Sequence, residues 1–129
     1  MKGKVDISEL NTPPEKTELE TANYFSEKGK EIKFIRPSSI PGIHRPDILM
    51  DGVEWEIKCP VGHSSRTIEN NLRKALNQSP NVIFDLRHLR TSENESISYL
   101  ENRFNKTSRL KKLLIIKKNG DLLKYTKKN

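Results

Sequence analysis

Two acidic side chains and a lysine are grouped around a predicted tight turn, and their types suit chemistry on a phosphate. Asp51-Gly52 stands between two runs of alternating apolar residues. Such a pair predicts a hairpin with a type I′ turn, because that turn needs positive φ at both central residues. The hairpin would place Asp47 directly opposite Glu56, with Lys58 on the same face of the strands.

Carboxylates that face each other across paired strands lie with their Cβ atoms about 4.5–5.5 Å apart and destabilise the sheet. The arrangement makes sense if a divalent cation lies between Asp47 and Glu56, because Mg²⁺ is usually held by one or two carboxylates together with substrate phosphate. Lys58 could then orient a nucleophilic water or meet a phosphate. The alternative is a solvated strand face with a weak Glu56–Lys58 surface pair. Glu31-Ile32-Lys33 repeats the spacing without an Asp on a hairpin partner.

The same register predicts which side of the hairpin faces the core. Side chains alternate between the two faces of a strand. Cys59 continues the apolar face, and we interpret it as a buried structural thiol, with a catalytic thiol as the alternative. The predicted core face comprises Ile48, Met50, Val53, Trp55 and Ile57.

A third carboxylate comes from the predicted first helix. Thr12-Pro13-Pro14-Glu15 is typical of a helix start, and the helix should run to about Lys28, with Gly29 as its C-terminal cap. Glu18 falls on the apolar side of this helix, and Glu20 points roughly the opposite way. Because a carboxylate on a buried side is costly unless it is paired or near a metal, Glu18 is the candidate site residue and Glu20 the alternate. A boundary role for Glu18, capping the first turn, is the other interpretation.

The bulk properties favour a single domain that binds polyanions. The chain has 129 residues, 24 basic against 17 acidic, and a formal net charge of +7. We expect a flexible N-terminus or linker over residues 1–11, one domain over 12–126 and a frayed tail over 127–129. A basic surface favours nucleic acid first and anionic membrane second. No apolar run approaches the length of a membrane span, and no signal-peptide pattern opens the chain. A single cysteine fits a reducing compartment.

The remaining pattern predicts a mixed α/β (α+β) fold of order α-β-β-β-α-β-α-β-β. A strand, a helix and a further strand in succession indicate a right-handed crossover with parallel pairing. A central sheet with helices on both sides is the natural architecture. Beyond the hairpin, the predicted elements are a helix over 65–77, a strand over 82–86, a helix over 93–105, a strand over 113–116, an Asn119-Gly120 turn and a final strand over 122–125.

Four further cations are candidates for contact with a nucleic-acid backbone. Arg45 lies in the loop before the hairpin, and Arg66, Arg73 and Lys74 lie on the predicted second helix. A solvated charged helix face is the alternative for each of the helical residues taken singly.

The element order, with Asp47 on one strand and Glu56-Ile57-Lys58 on the next, resembles the PD-(D/E)xK nuclease superfamily. Three stretches are more specifically similar to the tRNase toxin domain of CdiA-type contact-dependent growth inhibition proteins. They are Glu18–Ala22 with Phe25 and Gly29, the run from Ser65 to Leu86, and the closing Leu113–Ile116 strand with the Asn119-Gly120 turn and the basic end. The resemblance covers roughly residues 15–126.

The resemblance implies a metal-dependent nuclease, most simply a tRNase toxin, with Mg²⁺ or Mn²⁺ as cofactor. It assigns the helix glutamate to Glu18, the motif acids to Asp47 and Glu56, and the motif lysine to Lys58. A basic family position falls on Lys74. It further implies a cognate immunity protein as partner, and action in the cytoplasm after delivery into a target cell as the tip of a secreted toxin.

Four other functions remain open from the sequence. A DNA endonuclease of the same fold would have the same composition, and a non-catalytic nucleic-acid-binding module would keep the basic surface. An interaction domain with a basic face for an acidic protein is the third. A metal-independent RNase would need an acid/base pair, for which His44 or His63 with Lys58 are the alternates.

Overall fold

The fold is described from a computed structural model, which covers residues 2–62, 64 and 66–127. His63, proposed above as an alternate site residue, and Ser65, the expected start of the second helix, lie outside the described residues. The elements in chain order are β1 (Val5–Asp6), α1 (Lys16–Glu27), β2 (Ile32–Phe34), β3 (Ile48–Met50), β4 (Val53–Lys58), α2 (Arg66–Leu76), β5 (Asn81–Asp85), α3 (Glu93–Lys106), β6 (Lys112–Ile116) and β7 (Leu122–Thr126).

The described residues form one seven-stranded mixed sheet whose strand order is the same as the chain order, β1 to β7. β2, β3 and β4 pair with one another in antiparallel fashion, and β4, β5 and β6 pair in parallel. The parallel β4–β5 pairing across α2 confirms the prediction from the strand–helix–strand pattern. The predicted mixed α+β fold and its element order are confirmed, with one strand more than expected.

Two apolar layers enclose the sheet. α1 packs Ala22 and Phe25 against the predicted core face of the hairpin. α2 and α3 pack Leu72 and Leu100 against the opposite face of the parallel strands. Because helices cover both faces of the parallel strands, those strands are largely apolar, as expected for a buried parallel sheet. No helix in the described part of the chain is long and apolar enough to span a membrane.

The N-terminal segment differs from the expectation of a loose end. Val5–Asp6 forms the short edge strand β1, parallel to β2, and Gly3 N–H donates to the Ser26 carbonyl at 2.8 Å. The weak apolar pattern of residues 1–11 hid this strand, because a two-residue edge strand has almost no periodicity to detect.

The first helix starts later than its sequence signal predicted. α1 begins at Lys16, and Glu15 before it is extended, with ψ of 145°. Pro14 disfavours helical geometry at Pro13, so the two prolines form the approach to the helix rather than its first turn. The predicted C-terminal glycine is correct, since Gly29 has φ of 91° and its N–H donates to the Ser26 carbonyl.

A buried ion pair fastens α1 to the end of β5. Asp85 is 1% exposed and accepts hydrogen bonds from Thr21 Oγ1 at 2.7 Å and from Arg87 Nη2 at 2.7 Å. Burial alone would raise the pKa of Asp85, but the hydrogen bonds from Arg87 and Thr21 hold it below its usual value. The guanidinium of Arg87 also lies over the Tyr24 ring and donates to the Glu20 carbonyl.

Candidate active site

The hairpin has the geometry that its sequence predicts. Asp51 and Gly52 both have positive φ, 49° and 83°, as a type I′ turn requires. The register pairs Met50 with Val53, Leu49 with Glu54, and Ile48 with Trp55. One further step along each strand places the backbone of Asp47 beside that of Glu56.

Asp47 is fixed where the regular strand pairing ends. Its N–H donates to the Trp55 carbonyl at 3.1 Å, and its Oδ2 accepts the Ile57 N–H at 2.7 Å. The carboxylate therefore takes the place of a main-chain acceptor at the end of the hairpin. This bond occupies one oxygen and orients the carboxyl group toward Glu56.

Glu56 is the most deeply buried acid of the group, at 2% exposed. Lys58 Nζ lies 3.4 Å from Glu56 Oε2, and the Lys58 side chain is 19% exposed. With the Gln78 amide turned so that its nitrogen faces Glu56, that nitrogen donates to Oε1 at 2.9 Å and to Oε2 at 2.6 Å. Glu56 is thus held by a cation from its own strand and by an amide that follows α2.

Burial and nearby negative charge together raise the pKa values of the Asp47 and Glu56 carboxyl groups. Burial first, and then the neighbouring Asp47, raise the pKa of Glu56 to about 8. Burial also raises the pKa of Asp47, although its hydrogen bonds from Ile57 N–H and with Glu56 act in the opposite direction. The two carboxyl groups therefore lie close enough for the charge of one to disfavour ionisation of the other.

Glu18 is near this pair, and Glu20 is not. Burial, followed by the charge of Asp47, raises the pKa of Glu18 to about 7. Glu20 instead lies 3.6 Å from His88 Nε2 on the other side of the helix. The helix phase therefore distinguishes the two glutamates as the sequence predicts.

A pocket of 360 Å³ opens beside the carboxylates. Glu18, Asp47 and Gln78 line it from three different parts of the chain, and His44 and Arg45 line it from the loop before β3. Its remaining wall comes from residues within the segments 10–14 and 34–46. The pocket is large enough to admit a phosphate and its neighbouring sugar.

The predicted cations do not all lie here. Arg45 Nη1 donates to the Arg36 carbonyl at 3.2 Å at the edge of the pocket. Arg66, Arg73 and Lys74 are exposed on α2 and do not contribute to its lining. Arg73 lines a separate groove between α2 and α3.

The donor set fits a cation that keeps much of its own hydration. Within residues 2–62, 64 and 66–127, no group of three or more His, Cys, Asp or Glu side chains could hold a metal ion, so Glu18, Asp47 and Glu56 do not form a three-carboxylate site. Asp47 and Glu56 nevertheless supply two neighbouring carboxylates, and Glu18 is close enough for the charge of Asp47 to raise its pKa. This matches Mg²⁺, which retains several waters and binds through one or two carboxylates plus phosphate. Cys59 is not a ligand candidate, since burial raises the pKa of its thiol to about 11.

The sequence did not identify Gln78, or Pro13 and Pro14 before α1, as parts of the site. Gln78 follows α2 in a short turn, where a glutamine is ordinarily a solvent-facing residue. Its contact with Glu56 depends on the angle at which the helix packs on the sheet. The spacing of apolar residues along α2 carries no information about that packing angle.

Residues 44–122 match the family described as the contact-dependent growth inhibition CdiA C-terminal domain. The chain belongs to this family. The matched segment contains Asp47, Glu56, Lys58 and Gln78, whereas Glu18 lies before it. Membership associates the chain with contact-dependent growth inhibition and agrees with the CdiA part of the resemblance.

A solved structure supports the fold of this CdiA C-terminal domain. The CdiA-CT/CdiI toxin and immunity complex from Burkholderia pseudomallei contains a chain that is similar with a TM-score of 0.66. The similarity covers 97% of the present chain and 100% of that chain, at 17% sequence identity. At this identity the likeness shows the fold alone. A search of curated proteins finds no match.

Proposed function

We propose that this CdiA C-terminal domain is a toxin that hydrolyses phosphodiester bonds of RNA, with tRNA as the favoured substrate, in the cytoplasm of a target cell. The observation that carries the proposal is the pair of neighbouring carboxyl groups of Asp47 and Glu56 at the end of the hairpin, with Lys58 Nζ 3.4 Å from Glu56. Two buried acids with raised pKa values are costly to maintain, and Asp47 lines the cleft while Glu56 lies buried behind it, which favours a functional role over a structural one. The arrangement corresponds to the acids and lysine of the PD-(D/E)xK nucleases that the sequence resembles.

Asp47 and Glu56 would hold Mg²⁺ or Mn²⁺, and Glu18 would complete or organise the shell. When bound, such an ion polarises the phosphate and lowers the pKa of a coordinated water. Asp47 is oriented for this role by the Ile57 N–H, and Glu56 by Gln78.

Lys58 has the position of an electrostatic stabiliser. Its ammonium lies beside Glu56 and is only partly exposed, so water screens its charge incompletely. A phosphate at the Asp47–Glu56 pair would meet this fixed cation, which can orient the attacking water or stabilise charge that develops on the phosphate oxygens. Arg45 at the edge of the pocket would position the flanking backbone.

We further propose a cognate immunity protein as partner. The similar Burkholderia chain was solved as a toxin and immunity complex. The formal net charge of +7 favours an acidic partner surface.

The test is a cleavage assay on intact tRNA and on duplex DNA, each with Mg²⁺ and with EDTA. We expect cleavage of tRNA with Mg²⁺ and none with EDTA. Cleavage of DNA alone would replace the RNase proposal with the DNA endonuclease. Cleavage of tRNA that continues in EDTA would favour the metal-independent alternative, in which His44 acts with Lys58. Binding without cleavage under every condition would favour the non-catalytic module.

We expect Mg²⁺ to raise the Tm of the protein by an amount that depends on pH. The raised pKa values of Glu18, about 7, and Glu56, about 8, mean that the folded metal-free protein binds more protons than the unfolded chain between about pH 4.5 and 8. The contribution of these groups to stability is therefore complete at low pH and is lost as the pH rises through their folded values. A cation favours the ionised forms, so Mg²⁺ should raise Tm more at about pH 8.5 than at about pH 6. An equal Tm shift at both values would contradict carboxylate ligation.

A further inference from the structure

A second groove lies between α2 and α3, on the side of the sheet toward which Glu56 points. Its volume is 530 Å³. Arg73 lines it from α2, Arg103 from α3, and Arg109 from the segment after α3. Glu69 is the one acid in this lining. Three guanidinium groups against one carboxylate give the groove a positive charge.

Two of the three guanidinium groups are held in place by hydrogen bonds that leave their charge unneutralised, and the third makes no such bond to a described residue. Arg109 Nη2 donates to the Leu76 carbonyl at 2.9 Å, and Arg73 Nη2 donates to Asn70 Oδ1 at 3.0 Å. Both partners are neutral acceptors, so the positive charges remain available. Arg103 has no side-chain hydrogen bond or ion pair to any residue that the structure describes. Arginine presents several donors in a planar fork and is well suited to phosphate oxygens.

The groove also offers a surface for a base. The half-buried side chain of Tyr99 lines it together with the arginines. Nucleic-acid grooves that accept single strands combine cations along the backbone with aromatic rings on which bases stack. An acidic protein surface would use the cations but has no need of the ring.

The groove is a direct chain neighbour of the candidate active site. Leu76 and Asn77 line the groove, and the next residue, Gln78, contacts Glu56 and lines the active-site pocket. The C-terminal end of α2 thus separates two cavities. A single strand of nucleic acid that leaves one cavity could pass over the C-terminal end of α2 into the other.

We propose that the groove binds the phosphate backbone of a single-stranded part of the RNA substrate, beyond the bond that is cut. The inference rests on the proposed function and adds a second binding site, formed by Arg73, Arg103, Arg109 and Tyr99. This site would supply affinity, whereas Asp47, Glu56 and Lys58 carry the chemistry.

Fluorescence anisotropy with a labelled single-stranded RNA of about 20 nucleotides tests the inference, with EDTA present so that the RNA stays intact. We expect the Arg103→Gln/Arg109→Gln variant to bind about tenfold or more weakly. The slope of log K against log salt should fall by about 1.4, since each lost contact to a single strand contributes about 0.7. The matched control is Lys2→Gln/Lys28→Gln, which removes the same charge from exposed positions outside the groove.

Equal losses in the two double variants would overturn the inference, because they would reflect net charge alone. Unchanged RNA binding by the groove variant would also overturn it. This holds even if that variant no longer binds an acidic protein partner. Arg109 also bonds to the end of α2, so a second variant, Arg103→Gln alone, is measured because it breaks no described hydrogen bond or ion pair. We expect it to bind RNA several-fold more weakly. Cleavage by the wild type separates the two proposals. If the wild type cleaves RNA and the groove variants bind RNA as tightly as the wild type, the groove proposal alone is wrong. If the groove variants bind RNA more weakly but the wild type does not cleave it, the nuclease proposal alone is wrong.

Discussion

Replacing Glu56 with Gln is expected to lower the rate of RNA cleavage roughly a thousandfold while the protein stays folded. The substitution removes one of two carboxylates available to a cation and keeps the shape of the side chain. The amide introduced by Glu56→Gln keeps one oxygen that can accept a hydrogen bond from Gln78, so the hairpin should not rearrange. Measurement of kcat with saturating Mg²⁺, alongside circular dichroism, checks this expectation.

Glu54→Gln is the matched control for that substitution. Glu54 lies two residues earlier on β4, on the same face, and is exposed opposite Leu49. The control removes the same charge near the site without touching the carboxylate pair, so kcat should stay within about twofold. Comparable losses in both variants would argue against a specific role for Glu56. Full activity of Glu56→Gln would remove the proposed metal site.

Replacing Arg87 with Ala is expected to lower the free energy of unfolding by about 3–5 kcal/mol, the largest stability effect that we predict. The variant leaves Asp85 charged, 1% exposed and bonded to Thr21 without its cation. For a chain of this size the loss corresponds to a fall in Tm of about 12 °C or more. Urea unfolding monitored by the fluorescence of the one tryptophan, Trp55, measures it.

A double-mutant cycle separates the lost ion pair from the lost packing of the arginine stem. In an Asp85→Asn background, Arg87→Ala no longer strands a buried charge, and its cost should fall to about 1–2 kcal/mol. The same cost in both backgrounds would show that the guanidinium stabilises the fold through Tyr24 and the Glu20 carbonyl rather than through Asp85.

The sequence predicted the hairpin well because every determinant of that unit is local. Asp51-Gly52 defines the turn, the turn defines the register, and the register defines which side chains share a face. The phase of α1 distinguished Glu18 from Glu20 for the same reason. Each of these inferences uses only neighbours in the chain.

The sequence was less informative wherever geometry depends on packing between distant segments. Gln78 reaches Glu56 only because α2 crosses the sheet at a particular angle. The groove of Arg73, Arg103 and Arg109 depends on the spacing between two helices. The late start of α1 is an exception of another kind, since Pro13-Pro14 carries two conflicting local signals and the steric effect of the second proline prevails.

The strand order of the sheet has a consequence for how this domain can be assembled. Each strand from β2 to β7 pairs with the strand that directly precedes it in the chain, so the sheet can grow from one end to the other without leaving a gap to be filled later. Each pairing between sequence neighbours closes a shorter loop than a pairing between distant strands would, so it loses less chain entropy. A chain that emerges end first, from a ribosome or from a narrow pore, can therefore add its strands in sequence. Its candidate active site is complete as soon as β4 and the turn after α2 have formed.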